Sequence, residues 1–238
     1  RNCIKIAEEE KLNVQMHFCE NTKEVEDIEE MYNQKPIDVL ENEFKNQKIL
    51  LAHCVKLSNE DIKRIAKMGN VSVAHCPVSN LKLGCGVANI SEMIKNGINV
   101  TLGTDGQGSG CNLDMFETMK FAALLQKGIN EDATLLPAYE VLKMATINGA
   151  KALNLENEIG SIEVGKKADI IILNLDSIIT NPVNDIFSDI IYNAKGSNVE
   201  TTIINGKILM ENRKIKINKK EIIEKCEEII DRITHSVK

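Results

Sequence analysis

At 238 residues, 43% hydrophobic and 27% charged, the chain lies near the globular averages of about 45–50% and about 25%, which excludes a disordered or collagen-like polypeptide. The 29 Lys and Arg against 35 Asp and Glu form no basic stripe for a nucleic-acid backbone, and no stretch approaches the roughly 18 apolar residues of a membrane span. Seven cysteines, an odd number without C-x-x-C spacing, suit a reducing, cytoplasmic setting better than a disulfide framework. The chain opens on Arg1, with apolar periodicity at once in Ile4, Ile6 and Ala7, so we expect an incomplete polypeptide.

In chain order, short apolar runs alternate with helix-period segments, the rhythm of βα units on a parallel sheet. Leu12–Phe18 is the first strand expected, followed by helical segments over Thr22–Tyr32 and Ile37–Phe44. Ile49–His53 is the second, followed by a helix to Met68 with Ser58 as N-cap and Asp61 in the first turn. Val71–Cys76 is the third, then a Gly-containing loop and a helix over Ile90–Lys95. Val100–Thr104 is the fourth, with a long amphipathic helix over Leu113–Lys127 behind it and another helical stretch over Pro137–Leu153. Beyond it, Ile159–Leu175 and Val199–Asn212 read as short strands, and Asn205-Gly206 between Ile203-Ile204 and Ile208-Leu209 is a hairpin signal. Lys214–Lys220 is read as a solvated linker and Lys219–Val237 as a charged surface helix.

Each of the four strands carries a polar residue at or just beyond its end: His17, His53, His75 and Asp105. In parallel α/β sheets chemistry gathers at the carboxyl ends of strands. Four βα units are half of the about eight that close a barrel, so either the sheet is open and doubly wound or the first half lies upstream. Neutral imidazole and carboxylate are ligands of a catalytic divalent metal, and an open zinc site uses about three protein ligands plus water; His17 and Asp105 are candidates for two. Glu20, three residues past His17, is placed to shuttle protons at the same site, although a lone loop acid is also a common helix-start residue. His53, reached through the apolar Leu50-Leu51-Ala52, is either a polar strand tip or a satisfied core histidine.

The segments Leu51-Ala52-His53-Cys54-Val55, Ala74-His75-Cys76-Pro77, Ser79-Asn80-Leu81-Lys82-Leu83-Gly84 and Leu102-Gly103-Thr104-Asp105-Gly106 together resemble the amidohydrolase superfamily, in its branch acting on purines and related heterocycles. Asn112-Leu113-Asp114-Met115-Phe116-Glu117, continuing through Ala122-Ala123-Leu124-Leu125-Gln126-Lys127-Gly128, is similar to the 5′-methylthioadenosine/S-adenosylhomocysteine deaminases. Gly160–Asp169 and Ile204-Asn205-Gly206-Lys207 resemble that family's return to its small β domain. The resemblance covers nearly the whole chain.

It implies an α/β fold: the C-terminal half of a (β/α)8 TIM-type barrel over residues 1–155 (strands five to eight), strands of a small β-sandwich domain over 156–215, and a C-terminal surface helix over 216–238. It also implies that His17 and Asp105 are metal ligands, that Glu20, His53 and Asp105 are catalytic, and that Glu20 and Asp105 also contact substrate. His75 is expected to shape the pocket and His235 to be a surface residue. The implied cofactor is one Zn2+ per subunit, with Fe2+ or Mn2+ as alternatives, and the partner is a small-molecule purine nucleoside, without nucleic acid or membrane; a homo-oligomer stays open. The implied reaction is hydrolytic deamination of an adenine moiety to hypoxanthine with release of ammonia.

The family's His-x-His pair, which supplies its other two metal ligands, is absent from the four histidines present, and the loop Gln107-Gly108-Ser109-Gly110-Cys111 differs from that of close relatives. The 238-residue chain alone is therefore expected to bind zinc poorly and to be inactive. Rival readings are another heterocycle hydrolase (guanine or cytosine deaminase, or chlorohydrolase) and a non-catalytic half-barrel that binds a partner.

Overall fold

The structure is a computed structural model and describes residues 2–45, 47–110, 112–178 and 180–236; Arg1, Cys111 and Val237 lie outside them. Strands β1 (Val14–Phe18), β2 (Ile49–His53), β3 (Val71–His75) and β4 (Asn99–Leu102) form one parallel sheet in the order β1-β2-β3-β4. Parallel neighbours need crossovers. Helices Thr22–Tyr32 and Pro36–Glu43 supply the first, Asn59–Met68 the second, and Pro77–Lys82 with Ile90–Lys95 the third. The strand order never reverses, as in a barrel wall and unlike a doubly wound sheet with its switch point.

Side-chain alternation along each strand divides the sheet into two faces. Met16, Leu51, Val73 and Val100 are aligned across the sheet and join a core with Ile62, Ile65, Ile90, Met93, Met119 and Ala122 from the helices. Burying each such Ile contributes about 1.5–3 kcal/mol, which holds the helices on this face. The adjacent row, His17, Ala52, Ala74 and Thr101, takes the opposite face. There Leu50, Ala74 and Ala152 make a small separate cluster.

Local signals set several boundaries. Ser58 Oγ accepts from Asp61 N while Asp61 Oδ2 accepts from Ser58 N at 3.0 Å, a capping box at the start of Asn59–Met68. Arg64 of that helix ties it to Pro36–Glu43 through Asp38 and Glu41. The segment after His75 is not a plain loop as expected: Pro77–Lys82 is a short helix with Pro at its first turn, where a missing N–H costs nothing. β4 ends at Leu102, so Asp105 stands three residues beyond it, in place of directly after a strand ending at Thr104. The helix expected over Leu113–Lys127 spans Met115–Asn130, because Asp114 caps it by accepting from Phe116 N at 2.8 Å. The stretch Pro137–Leu153 divides into helices Ala138–Met144 and Ile147–Ala152. The second covers the outer edge of β4: Asn148 Nδ2 donates to Val100 O and Asn99 Nδ2 to Asn148 O, each at 3.0 Å.

Strands β5 (Ile170–Leu173), β6 (Val199–Ile204), β7 (Lys207–Glu211) and β8 (Lys214–Ile215) form a second, antiparallel sheet in sequence order. Of the short strands expected over Ile159–Leu175, only β5 forms; turns around Gly160 and Gly165 occupy the remainder. The β6–β7 hairpin turns at Asn205 (φ 47°) and Gly206 (φ 74°), the two left-handed residues of a type I′ turn. The exposed helix Lys219–Ser236 closes the described chain, and His235 on it bonds its own helix, at Asp231 O. No helix among the described residues is long and apolar enough to cross a membrane.

Candidate functional site

At the carboxyl end of β1 the chain turns through Cys19 with φ 51°. The Glu24 carboxylate receives both Cys19 N (2.9 Å) and Glu20 N (2.7 Å), while Asn21 Oδ1 caps the helix by accepting from Glu24 N. A carboxylate is favoured at this helix N-terminus, and here it also fixes the loop that carries Glu20. Glu20 Oε1 comes within 3.9 Å of His53 Nδ1, and Cys85 Sγ approaches the same oxygen at 3.7 Å.

His53 ends β2 with φ 75° and is 1% exposed. The ring of His17 stacks on it, centroids 5.4 Å apart and planes 14° from parallel. Asn80 Oδ1 lies 2.8 Å from His53 Nδ1. Asp105, also left-handed (φ 61°), accepts from Ser79 Oγ at 2.6 Å through Oδ2 and from Gly106 N at 2.6 Å through Oδ1. Burial opposes ionisation of Asp105, but the Ser79 hydroxyl, the Gly106 N–H and the neighbouring His53 and His17 outweigh it and hold the carboxyl below its ordinary range. Asp105 is an anion at neutral pH.

The four residues singled out from the sequence, His17, Glu20, His53 and Asp105, therefore gather at one end of the sheet. His75 does not join them chemically: it is fully buried, both ring nitrogens lack hydrogen-bond partners, and burial, reinforced by His53, pushes it down to about 3. The thiols near the site are poor nucleophiles, since burial raises Cys19 and Cys76 to about 12 and Cys54 well above its usual value. A cavity of about 310 Å³ lined by Asn70, Ser72, Asn99 and Glu156 opens at the opposite, amino ends of the strands and holds no histidine or cysteine.

Sequence reasoning gave no role to Glu24, Ser79, Asn80 or Cys85. Ser79 and Asn80 stand in a recognisable Cys-Pro-Val-Ser-Asn segment, the one signal that pointed at them. As a metal centre the set is partial. His17 and Asp105 offer a nitrogen and an anionic oxygen, but no group of three or more His, Cys, Asp or Glu among the described residues is arranged to hold an ion, short of the three protein ligands of a catalytic zinc. What these side chains do offer is the Asp105 carboxylate, the His53 imidazole and the Glu20 carboxyl group at one end of the sheet, residue types suited to moving protons.

Residues 1–209 match the model of the amidohydrolase family. The chain is 45% identical over 234 residues to a 5-methylthioadenosine/S-adenosylhomocysteine deaminase of Acetivibrio thermocellus, covering 94% of this chain and 54% of that protein. It is 43% identical over 213 residues to a 5′-deoxyadenosine deaminase of Methanosarcina acetivorans, covering 89% and 49%. In structure it is similar to a zinc-bound adenosine deaminase of Xanthomonas campestris, with a TM-score of 0.93, 34% identity, and coverage of 97% of this chain and 53% of that one. The chain thus spans about half the length of the relatives it matches.

Proposed function

The chain belongs to the amidohydrolase family, and from that premise we propose that it supplies the proton-handling half of a hydrolytic deaminase acting on 5′-substituted adenosines, 5′-methylthioadenosine and S-adenosylhomocysteine first among them. The observation that carries the reading is the placement of Glu20, His53 and Asp105 at the carboxyl end of one parallel sheet, with the Glu20 backbone N–H on Glu24, the His53 ring on Asn80 and the Asp105 carboxylate on Ser79. The names of the relatives at 43–45% identity support the substrate class.

In this reading the Asp105 carboxylate, kept ionised by Ser79 and Gly106, takes a proton from the attacking water, with His53 orienting that water. Glu20, partly exposed where its loop enters the site, delivers a proton to the purine ring nitrogen beside the carbon under attack. That proton transfer makes the ring carbon electrophilic, and the departing amino group leaves as ammonia after gaining a proton. A divalent ion, zinc in our reading and iron(II) or manganese(II) as alternatives, would take His17 and Asp105 among its ligands and lower the pKa of the water from about 15.7 toward about 7. We place the protein in the reducing cytoplasm, consistent with six unpaired thiols among the described residues.

The test is turnover by this chain joined to the N-terminal portion of the Acetivibrio thermocellus relative, read as ammonia release or, for the chlorotriazine, as chloride release. The substrates offered are methylthioadenosine, S-adenosylhomocysteine, 5′-deoxyadenosine, adenosine, guanine, cytosine and a chlorotriazine. Turnover of the 5′-substituted adenosines, reduced about 10²- to 10⁴-fold by Glu20→Gln, is the expected result. Turnover confined to guanine, cytosine or the triazine would replace the substrate reading, and none on any would favour a binding role.

A further inference from the structure

The short helix Pro77–Lys82 touches two site residues at once through adjacent side chains: Ser79 on Asp105 and Asn80 on His53. Both Ser79 and Asn80 are fully buried. Asn80 is itself anchored at both backbone groups, its N–H on Cys76 O at 3.0 Å and its carbonyl on Cys85 N at 2.8 Å.

We propose that Asn80 is a positioning residue that fixes His53 as its Nδ1–H tautomer, leaving the lone pair on Nε2. A carbonyl oxygen only accepts, so the ring nitrogen 2.8 Å from Asn80 Oδ1 must carry hydrogen, and a neutral imidazole carries one. The competing acceptor, Glu20 Oε1, is 3.9 Å from the same nitrogen, beyond hydrogen-bond length. Water does not substitute for Asn80, because His53 and Asn80 are 1% and 0% exposed. The stacked His17 ring sets the plane of the imidazole, so Asn80 needs only to select which nitrogen is protonated. The opposite tautomer would set a nitrogen lone pair against an oxygen lone pair in a dry site. The role rests on reading His53 as a group that handles protons, but the tautomer is a property of the folded chain and is measured without substrate.

The experiment is a long-range 1H–15N correlation spectrum of the chain joined to the N-terminal portion of the Acetivibrio thermocellus relative and labelled at histidine, with the His53 signals assigned by their loss in His53→Gln, recorded at about pH 8, above the ordinary histidine pKa of about 6.5. His53 should show a protonated Nδ1 and an unprotonated Nε2. Asn80→Leu should shift the population toward Nε2–H, the form an unconstrained histidine prefers. Asn80→Asp, which keeps an acceptor in place, should retain the Nδ1 proton. Ser79→Ala, a change of equal burial on the same helix, should leave His53 as in the parent. An Nε2–H tautomer in the parent overturns the proposal without any variant, as does an Asn80→Leu spectrum indistinguishable from the parent's. Loss of deaminase activity in the joined protein with the tautomer intact would count against the function proposed above and not against this assignment.

Discussion

Four residues with left-handed backbone cluster at the strand ends of the site: Cys19, His53, Cys54 and Asp105. Side chains there cost about 1–3 kcal/mol each in strain, and the surrounding contacts that hold them are the hydrogen bonds of Glu24, Asn80 and Ser79. The most buried ionisable neighbour, His75, contributes in another way, through its refusal of a proton. Its native pKa is depressed to about 3, whereas the unfolded ring titrates near about 6.5. Between those values the unfolded chain binds a proton that the native chain does not, so this residue's contribution to stability is complete above about pH 6.5 and is lost as pH falls, at up to about 1.4 kcal/mol per pH unit. Urea unfolding between about pH 7 and 5 should show that slope in the parent and a flatter profile in His75→Leu, since carboxylates titrate mainly lower. An unchanged slope in the variant would refute the assignment. The sequence showed His17, Glu20, His53 and Asp105 because strand ends are legible one element at a time. It hid the supports because Ser79–Asp105 and Asn80–His53 join residues 26 and 27 apart, contacts that exist only once β2, β3 and β4 are side by side.

Elements whose ends carry chemical punctuation were readable to the residue. Thr22–Tyr32 is recovered as expected, and Ser58 caps the helix to Met68 through a two-way bond with Asp61. Pro77–Lys82 was not, because Pro-Val-Ser-Asn-Leu-Lys is too short to show a 3.6-residue stripe. Gly160 illustrates a constraint of the same hidden kind. It has φ 92°, and a Cβ there would lie 2.7 Å from Ala150 Cβ and 3.0 Å from Ile147 Cα, on the helix that covers the edge of β4. Gly160→Ala should therefore cost about 2–5 kcal/mol, the sum of left-handed strain and overpacking. Gly206→Ala, equally left-handed (φ 74°) but facing open space, should cost only the backbone part, about 1–2 kcal/mol. Denaturant midpoints of the two variants decide the matter: equal losses would mean that contact with the helix Ile147–Ala152 is not what makes Gly160 necessary.

Across the described residues, Glu20, His53 and Asp105, the groups proposed to handle protons, stand at one end of the sheet, whereas no full set of groups to hold an ion does. His17 and Asp105 provide two donors, no group of three appears among the described residues, and catalytic zinc sites use three protein ligands with the fourth position left for water. The family relatives are about twice as long as this chain, which is room for the missing donors. The sheet agrees: among the described residues no strand lies beside the outer edge of β1, and an unpaired strand edge is a template for association with another chain. The 238-residue polypeptide alone should thus retain well under one zinc per chain after dialysis and should self-associate in light scattering. Joined to the N-terminal portion of the Acetivibrio thermocellus relative, it should hold about one zinc and stop associating, because the added strands would pair the β1 edge as the added ligands complete the ion's shell. Substituting Asp105→Ala in the joined protein should lower zinc retention, whereas Glu20→Gln should not, since the proposed role of Glu20 is to carry protons and not to bind the ion. Stoichiometric zinc in the unjoined chain would show that two donors suffice or that the chain holds a third, and equal zinc loss in both variants would undo the division between ion-holding and proton-carrying residues.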